Sequence, residues 1–182
     1  MALRPILEYP NPLLKRRAAP VAAIGDELIT LIEDLAETMY AAPGVGLAAT
    51  QVGVGQRVIV LDIHREDEAP GKRLLKLINP EIAEREGEVV WEEGCLSVPG
   101  LTAPVKRARR VLVRAWTPEE REVEVEAEEL LAVALQHEID HLEGKLFLDR
   151  LSRLKRDLYR ARQRKLDRQG RKSTSASRPL LI

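Results

Sequence analysis

Glu129-Leu130-Leu131-Ala132-Val133-Ala134-Leu135-Gln136-His137-Glu138-Ile139-Asp140-His141-Leu142 is the stretch on which the fold turns. Leu130, Leu131, Val133, Ala134, Leu135, Ile139 and Leu142 cover most of the circumference of a helix, and a helix that is apolar nearly all round is buried. Glu128 and Glu129 suit its positive N-terminal end, and Gly144 suits its stop. His137 and His141 are four residues apart and share one face, with Glu138 directly after the first. In a core helix such polar groups need partners. Two imidazoles on one face can reach a single metal ion, with Glu138 beside it as a proton acceptor. The chain has 3 histidines, so two of them are committed here.

The elements around this helix define the fold class. Asp26 to Ala42 reads as an amphipathic helix through Leu28, Leu31, Ile32, Leu35 and Met39, stopped by Pro43-Gly44. Arg57 to Ile63 is a β-branched run expected to be a buried strand. Leu74 to Ile78 and Gly87 to Trp91 read as further strands, with a polar loop from Asp67 to Lys72. Val111–Trp116 and Glu122–Ala127 read as a hairpin turning at Thr117 to Glu120, with Val123, Val125 and Ala127 alternating with glutamates. A last helix is expected from near Asp149, with Leu151, Leu154, Leu158 and Ala161 as its apolar stripe. Without regular strand–helix–strand alternation, the expectation is α+β: antiparallel or mixed sheets packed around a buried central helix that carries the histidines, with a C-terminal helix.

Composition narrows the setting. The chain has 182 residues, 45% hydrophobic and 32% charged, as a globular domain with a real core requires. Met1 to Pro5 lacks the apolar run of a secretory signal, and no segment is long and apolar enough for a membrane span. A single cysteine, Cys95, excludes an intrachain disulfide. These features point to a cytoplasmic protein with no membrane partner. Charge is distributed unevenly: residues 151–182 hold eleven Lys/Arg against two Asp/Glu, a net of +9. With 29 of each sign in the whole chain, the remainder holds 18 against 27, a net of −9. The expected division is therefore a catalytic domain over 1–150 and a basic helix with a disordered tail, beyond Gly170, over 151–182.

A catalytic zinc-type site needs three protein ligands and an open position. Phe147 stands where one protease pattern would place a third histidine, and His64 beside Arg65 reads as solvated. Cys95, in Glu92-Glu93-Gly94-Cys95-Leu96-Ser97-Val98-Pro99, is the candidate third ligand. Gly94 offers close backbone approach or an unusual φ, and a thiolate binds divalent transition metals well. Glu93 is placed to hydrogen-bond a ligand histidine, and Asp140 either does the same or forms an ion pair. Gly44-x-Gly46-x-x-Ala49 matches a loose dinucleotide fingerprint, but a helix precedes it where a strand is needed, so no nucleotide cofactor is expected. The loop instead suits backbone approach to a peptide by strand addition.

Gly44-Val45-Gly46-Leu47-Ala48-Ala49-Thr50-Gln51, Glu93-Gly94-Cys95-Leu96-Ser97 and His137-Glu138-Ile139-Asp140-His141 together resemble the three signature motifs of bacterial peptide deformylase, in order, over about the first five sixths of the chain. Tyr9-Pro10-Asn11-Pro12 is similar to that family's usual start. Pro43 stands where members often have an acidic residue, and Gly100-Leu101-Thr102 lacks a basic residue that some carry. The resemblance implies hydrolysis of the formyl group on the N-terminal methionine of nascent peptides. It implies one divalent metal on Cys95, His137 and His141, natively iron(II), although zinc, nickel and cobalt suit the same donors. Glu138 would be the proton carrier, and the Gln51 amide with the Leu96 backbone N–H would hold the oxyanion. Val133 and Ala134, beside His137 on the helix, are candidates with Val45 and Trp91 for an apolar slot for methionine, and Gly44, Val45 and Gly46 for the peptide backbone. In related enzymes a C-terminal extension is implicated in ribosome docking, which the basic tail fits. The competing readings are a metallopeptidase of the His-Glu-x-x-His type and a ribosome- or RNA-binding protein with a structural metal, the latter motivated by the tail.

Overall fold

The computed structural model describes residues 2–63 and 68–168, with side chains described as far as 161; His64, Arg65 and the segment beyond Gly170 lie outside the described residues. Helix α1 spans Asp26–Ala41 and α2 spans Glu129–Leu142, and between them runs a five-stranded sheet. Its strands are β1 (Gly46–Ala48), β2 (Val58–Leu61), β3 (Leu75–Glu86), β6 (Arg110–Trp116) and β7 (Glu122–Glu128), in that spatial order. A separate hairpin pairs β4 (Val89–Glu93) with β5 (Ala103–Arg107). Every strand pairing within the two sheets is antiparallel.

The run Val58-Ile59-Val60-Leu61 explains the layering. All four residues are buried, because the sheet is covered on both faces here. Val58 and Val60 pack with Leu28, Leu31, Ile32, Leu35 and Met39 of α1. Ile59 and Leu61 point the other way, into the cluster formed with Val133, Ala134, Leu135, Ile139 and Leu142 of α2. The hairpin of β6 and β7 closes that cluster with Val111, Val113, Ala115 and Ala127. Its outer face is held by cross-strand ion pairs, Arg114–Glu124 at 2.8 Å and Arg110–Glu126 at 2.9 Å. A third cluster, including Leu14, Cys95, Val105, Phe147, Leu148 and Tyr159, lies around the β4–β5 hairpin and the chain end.

Most expected elements are present, with the following differences among others. Strand β3 runs on to Glu86, well past Ile78, because β6 provides it with a partner over that length. Strand β5 was not expected; Ala103-Pro104-Val105-Lys106-Arg107 alternates buried and exposed, but a proline near its start masks the pattern. The last helix, α3 (Arg153–Arg168), follows a short 3-10 turn over Phe147–Arg150 and so begins later than expected. Its packed side carries Tyr159, whose ring lies 6.1 Å from that of Tyr9, with Leu151 buried just before the helix, whereas Leu154 and Leu158 face outward at 71% and 62% exposure. Among the described residues, no helix is long and apolar enough to cross a membrane.

Candidate metal centre

Helix α2 is buried from Ala132 to Leu142, so its polar residues lie inside the protein rather than on its surface. Gly144 ends it with φ +68, in the left-handed region, and a Cβ there would lie 2.5 Å from the Lys15 carbonyl oxygen. Thr50 Oγ donates to the His141 carbonyl at 3.2 Å, tying the last turn to the Gly44–Gly53 segment.

Cys95 follows β4 in a tight turn, its carbonyl accepting from the Val98 N–H at 3.0 Å. Gly94 has no positive φ, so the expected unusual backbone is absent. Cys95 Sγ lies 3.2 Å from His141 Nε2, which lies 3.2 Å from His137 Nε2. All three donor atoms fall within 4.8 Å of one another and all three residues are buried. Ligands at about 2.0–2.3 Å from a tetrahedral ion are separated by roughly 3.3–3.6 Å, so this set fits one cation.

The electrostatics agree with the geometry. Burial pushes the Cys95 thiol far above its usual range, and the Glu138 carboxylate adds to the effect. Burial drives His141 well below its ordinary value, helped by His137, and raises Glu138 well above the carboxylate range. Each group is pushed towards its uncharged form. A divalent cation among them reverses that preference for the thiolate and the carboxylate. Both Glu138 oxygens are buried and take no hydrogen bond from a described residue.

The candidate ligands are braced from behind. Glu93 Oε2 accepts from His137 Nδ1 at 2.9 Å, which turns Nε2 towards the other donors. Glu93 is in turn gripped by Arg107, with Nε–Oε1 at 2.6 Å and Nη2–Oε2 at 2.9 Å. Arg107 also reaches Asp140 at 2.5 Å, and Arg150 clamps Asp140 with bonds of 2.6 and 2.7 Å. Asp140 is thus an ion-pair partner, not a histidine acceptor. Burial alone would raise the Glu93 carboxyl, but Arg107 and then His137 outweigh it and hold it at about 2. Arg107 and Arg150 were not singled out from the sequence. Two buried acids beside a metal motif are the signal that a buried cation must balance them.

Gln51 sits in the 3-10 turn Ala49–Val52. Its Oε1 accepts from the Ala48 N–H at 2.8 Å, which leaves the amide NH2 facing Ser97 Oγ at 3.2 Å and Cys95 Sγ at 3.7 Å. Leu96 is buried at 8% exposure, and its Cδ1 would lie 2.8 Å from a Cβ on Gly44. Val45, Val133 and Ala134 share one apolar cluster, with the half-buried Trp91 against it. Gly46 opens β1, an edge strand of the five-stranded sheet. Phe147 lies 6.2 Å from His137, stacked on its ring, as a wall where a protease would have a ligand.

A sequence model described as polypeptide deformylase matches residues 3–157. The peptide deformylase of Syntrophobacter fumaroxidans is 52% identical over 165 residues, covering 91% of this chain and 96% of that protein. The peptide deformylase of Alkalilimnicola ehrlichii is 54% identical over 171 residues, covering 94% of each. The crystal structure of a peptide deformylase from Legionella pneumophila superposes with a TM-score of 0.85 at 47% identity, covering 94% of this chain and 100% of that one.

Proposed function

The chain belongs to the peptide deformylase family, and from that premise we propose how its residues divide the work. The reaction is metal-dependent hydrolysis of the formyl amide on the N-terminal methionine of nascent polypeptides, releasing formate and a free amino terminus. Cys95, His137 and His141 hold the ion, natively iron(II), for which one sulfur and two imidazoles are suitable donors. When bound, the ion supplies Lewis acidity, lowering the pKa of water towards neutrality.

Glu138 takes a proton from the attacking water and delivers it to the leaving amine nitrogen, so that the C–N bond breaks as the amine is protonated. Its two unpartnered oxygens support this role, because a carboxylate saturated with hydrogen bonds would be a poor acceptor. The Gln51 amide and the Leu96 backbone N–H face the oxygen that gains charge. The bond from Ala48 to Gln51 Oε1 supports the assignment, since it orients the amide as a donor. Val45, Trp91, Val133 and Ala134 form the slot for the methionine side chain. Gly44, Val45 and Gly46 receive the peptide along the open side of β1.

The functional division falls at 150/151, because every group of the site lies before it and the net +9 segment after it. We place the reaction in the cytoplasm and assign the basic segment to ribosome docking. Removing Ser173 to Ile182, and separately replacing the exposed Arg153 and Lys155 with glutamine, tests this by co-sedimentation with ribosomes at two salt concentrations. Unchanged sedimentation in both would end the docking assignment.

The observation that carries the catalytic reading is the convergence of one thiol and two imidazoles at 3.2 Å beside an unpartnered carboxylate. Its test is formate release from a short formyl-Met peptide under anaerobic conditions with the metal-loaded protein. Activity in the wild type and its collapse in Glu138→Gln are expected. Robust formate from the variant would refute the role of Glu138.

A further inference from the structure

Gly46 has no need of glycine for its backbone. It lies in β1, paired with Leu61, and its φ is not positive. Glycine weakens a strand, so its presence in one often marks a close approach. Here the approach is to Glu138. A Cβ on Gly46 would lie 2.6 Å from Glu138 Oε1, 3.0 Å from Cδ and 3.1 Å from Cγ. The contact runs along the side chain, so turning the carboxylate about its last bond would not relieve it. Nor can the side chain swing into solvent, because Glu138 is 0% exposed. No described residue donates a hydrogen bond to its oxygens. The carboxylate is therefore located by packing, and the surface it packs against is the bare face of Gly46.

We propose that Gly46 is a positioning residue: its missing side chain is the socket that sets where the Glu138 carboxylate stands. This is separate from any contact that the Gly46 backbone makes with a peptide, and it rests on Glu138 being the proton carrier. The socket fixes the acceptor without occupying its lone pairs. A hydrogen-bonding partner would have fixed it at the expense of basicity.

The test pairs Gly46→Ala with three states of residue 138: glutamate, Glu138→Gln and Glu138→Ala. Urea unfolding of the metal-free proteins reads the steric contact, whatever Glu138 does in catalysis. Gly46→Ala is expected to lower the midpoint in the wild-type and Glu138→Gln backgrounds, which have side chains of equal size, and to leave it unchanged in Glu138→Ala. If Gly46→Ala alone fails to fold, Glu138→Ala should restore folding. An equal loss in all three backgrounds, or no such restoration, would overturn the proposal. In turnover of a formyl-Met peptide, Gly46→Ala should lower kcat by about 100-fold, with KM within about threefold and metal content unchanged. A rise in KM at unchanged kcat would mean that only a substrate contact was lost, and would likewise overturn it. Were Glu138→Gln itself active, the catalytic assignment would fail while the stability cycle still reported on the socket.

Discussion

Arg107 has a side chain with 0% exposure and makes three bonds to two acids, Glu93 and Asp140. Replacing it with methionine keeps much of the volume and removes the charge. Breaking a buried pair in this way costs about 3–5 kcal/mol, because a desolvated carboxylate is left uncompensated. The Glu93 carboxyl is held at about 2, against an ordinary 4.5, by Arg107 and His137 together in opposition to burial. Domains of this kind have about 5–15 kcal/mol in total, so Arg107→Met should leave a marginal fold. With a urea m-value of about 2 kcal/mol/M, the midpoint should drop by about 1.5 M at pH 7. A carboxyl whose pKa is depressed in the fold contributes stability above its unfolded pKa and loses it as pH falls through the folded one. The gap between wild type and variant should therefore narrow between pH 4.5 and about 2. Arg107→Lys, which keeps the charge but not the fork that grips Glu93 twice, should fall between the two. Because Glu93 orients His137, metal affinity should also fall, by about 10–100-fold. A midpoint shift below about 0.5 M for Arg107→Met, with metal affinity intact, would refute the view that this guanidinium holds the ligand shell.

Three further outcomes are expected. Burial raises the pKa of Glu138, so in the metal-free protein its fold-destabilising effect grows as pH rises above 4.5; Glu138→Gln should be more stable than wild type at pH 8 and similar at pH 4, and equal urea midpoints at pH 8 would count against this. Gln51→Ala should lower kcat for a formyl-Met peptide by about 100-fold, with metal content unchanged, and loss of metal instead would reassign Gln51 to the ligand shell. Arg150 is 40% exposed although it clamps Asp140 twice, so Arg150→Leu should cost only about 1 kcal/mol in urea unfolding; a loss as large as that for Arg107→Met would place it inside the buried network.

What was legible in the chain was local. The apolar circumference of Leu130 to Leu142 identified a core helix, and the spacing of His137 and His141 put both rings on one face, because helical periodicity is a property of sequence alone. The β-branched run at Val58 to Leu61 and the alternating Glu122 to Ala127 were readable for the same reason. Strand β5 was not, since Pro104 obscures a five-residue alternation that only pairing with β4 stabilises. The outward face of α3 was also misread. Leu154 and Leu158 continue an apolar stripe on paper, but the tertiary partner is Tyr9 and it selects Tyr159.

The sequence by itself determined the core helix and singled out Cys95, His137, His141 and Glu138 as the candidates for holding a metal and carrying a proton, because chemistry belongs to residue types and helical faces follow from spacing. Only the tertiary structure decided which atoms meet. Cys95 comes to 3.2 Å of His141 across a separation of 46 residues, and Arg107 links Glu93 to Asp140. Gly46 is set against Glu138 closely enough to leave no room for a Cβ. These are long-range contacts between segments with no periodic relation to one another. They are set by how the two faces of the sheet and the β4–β5 hairpin pack around one buried helix, which no local pattern encodes.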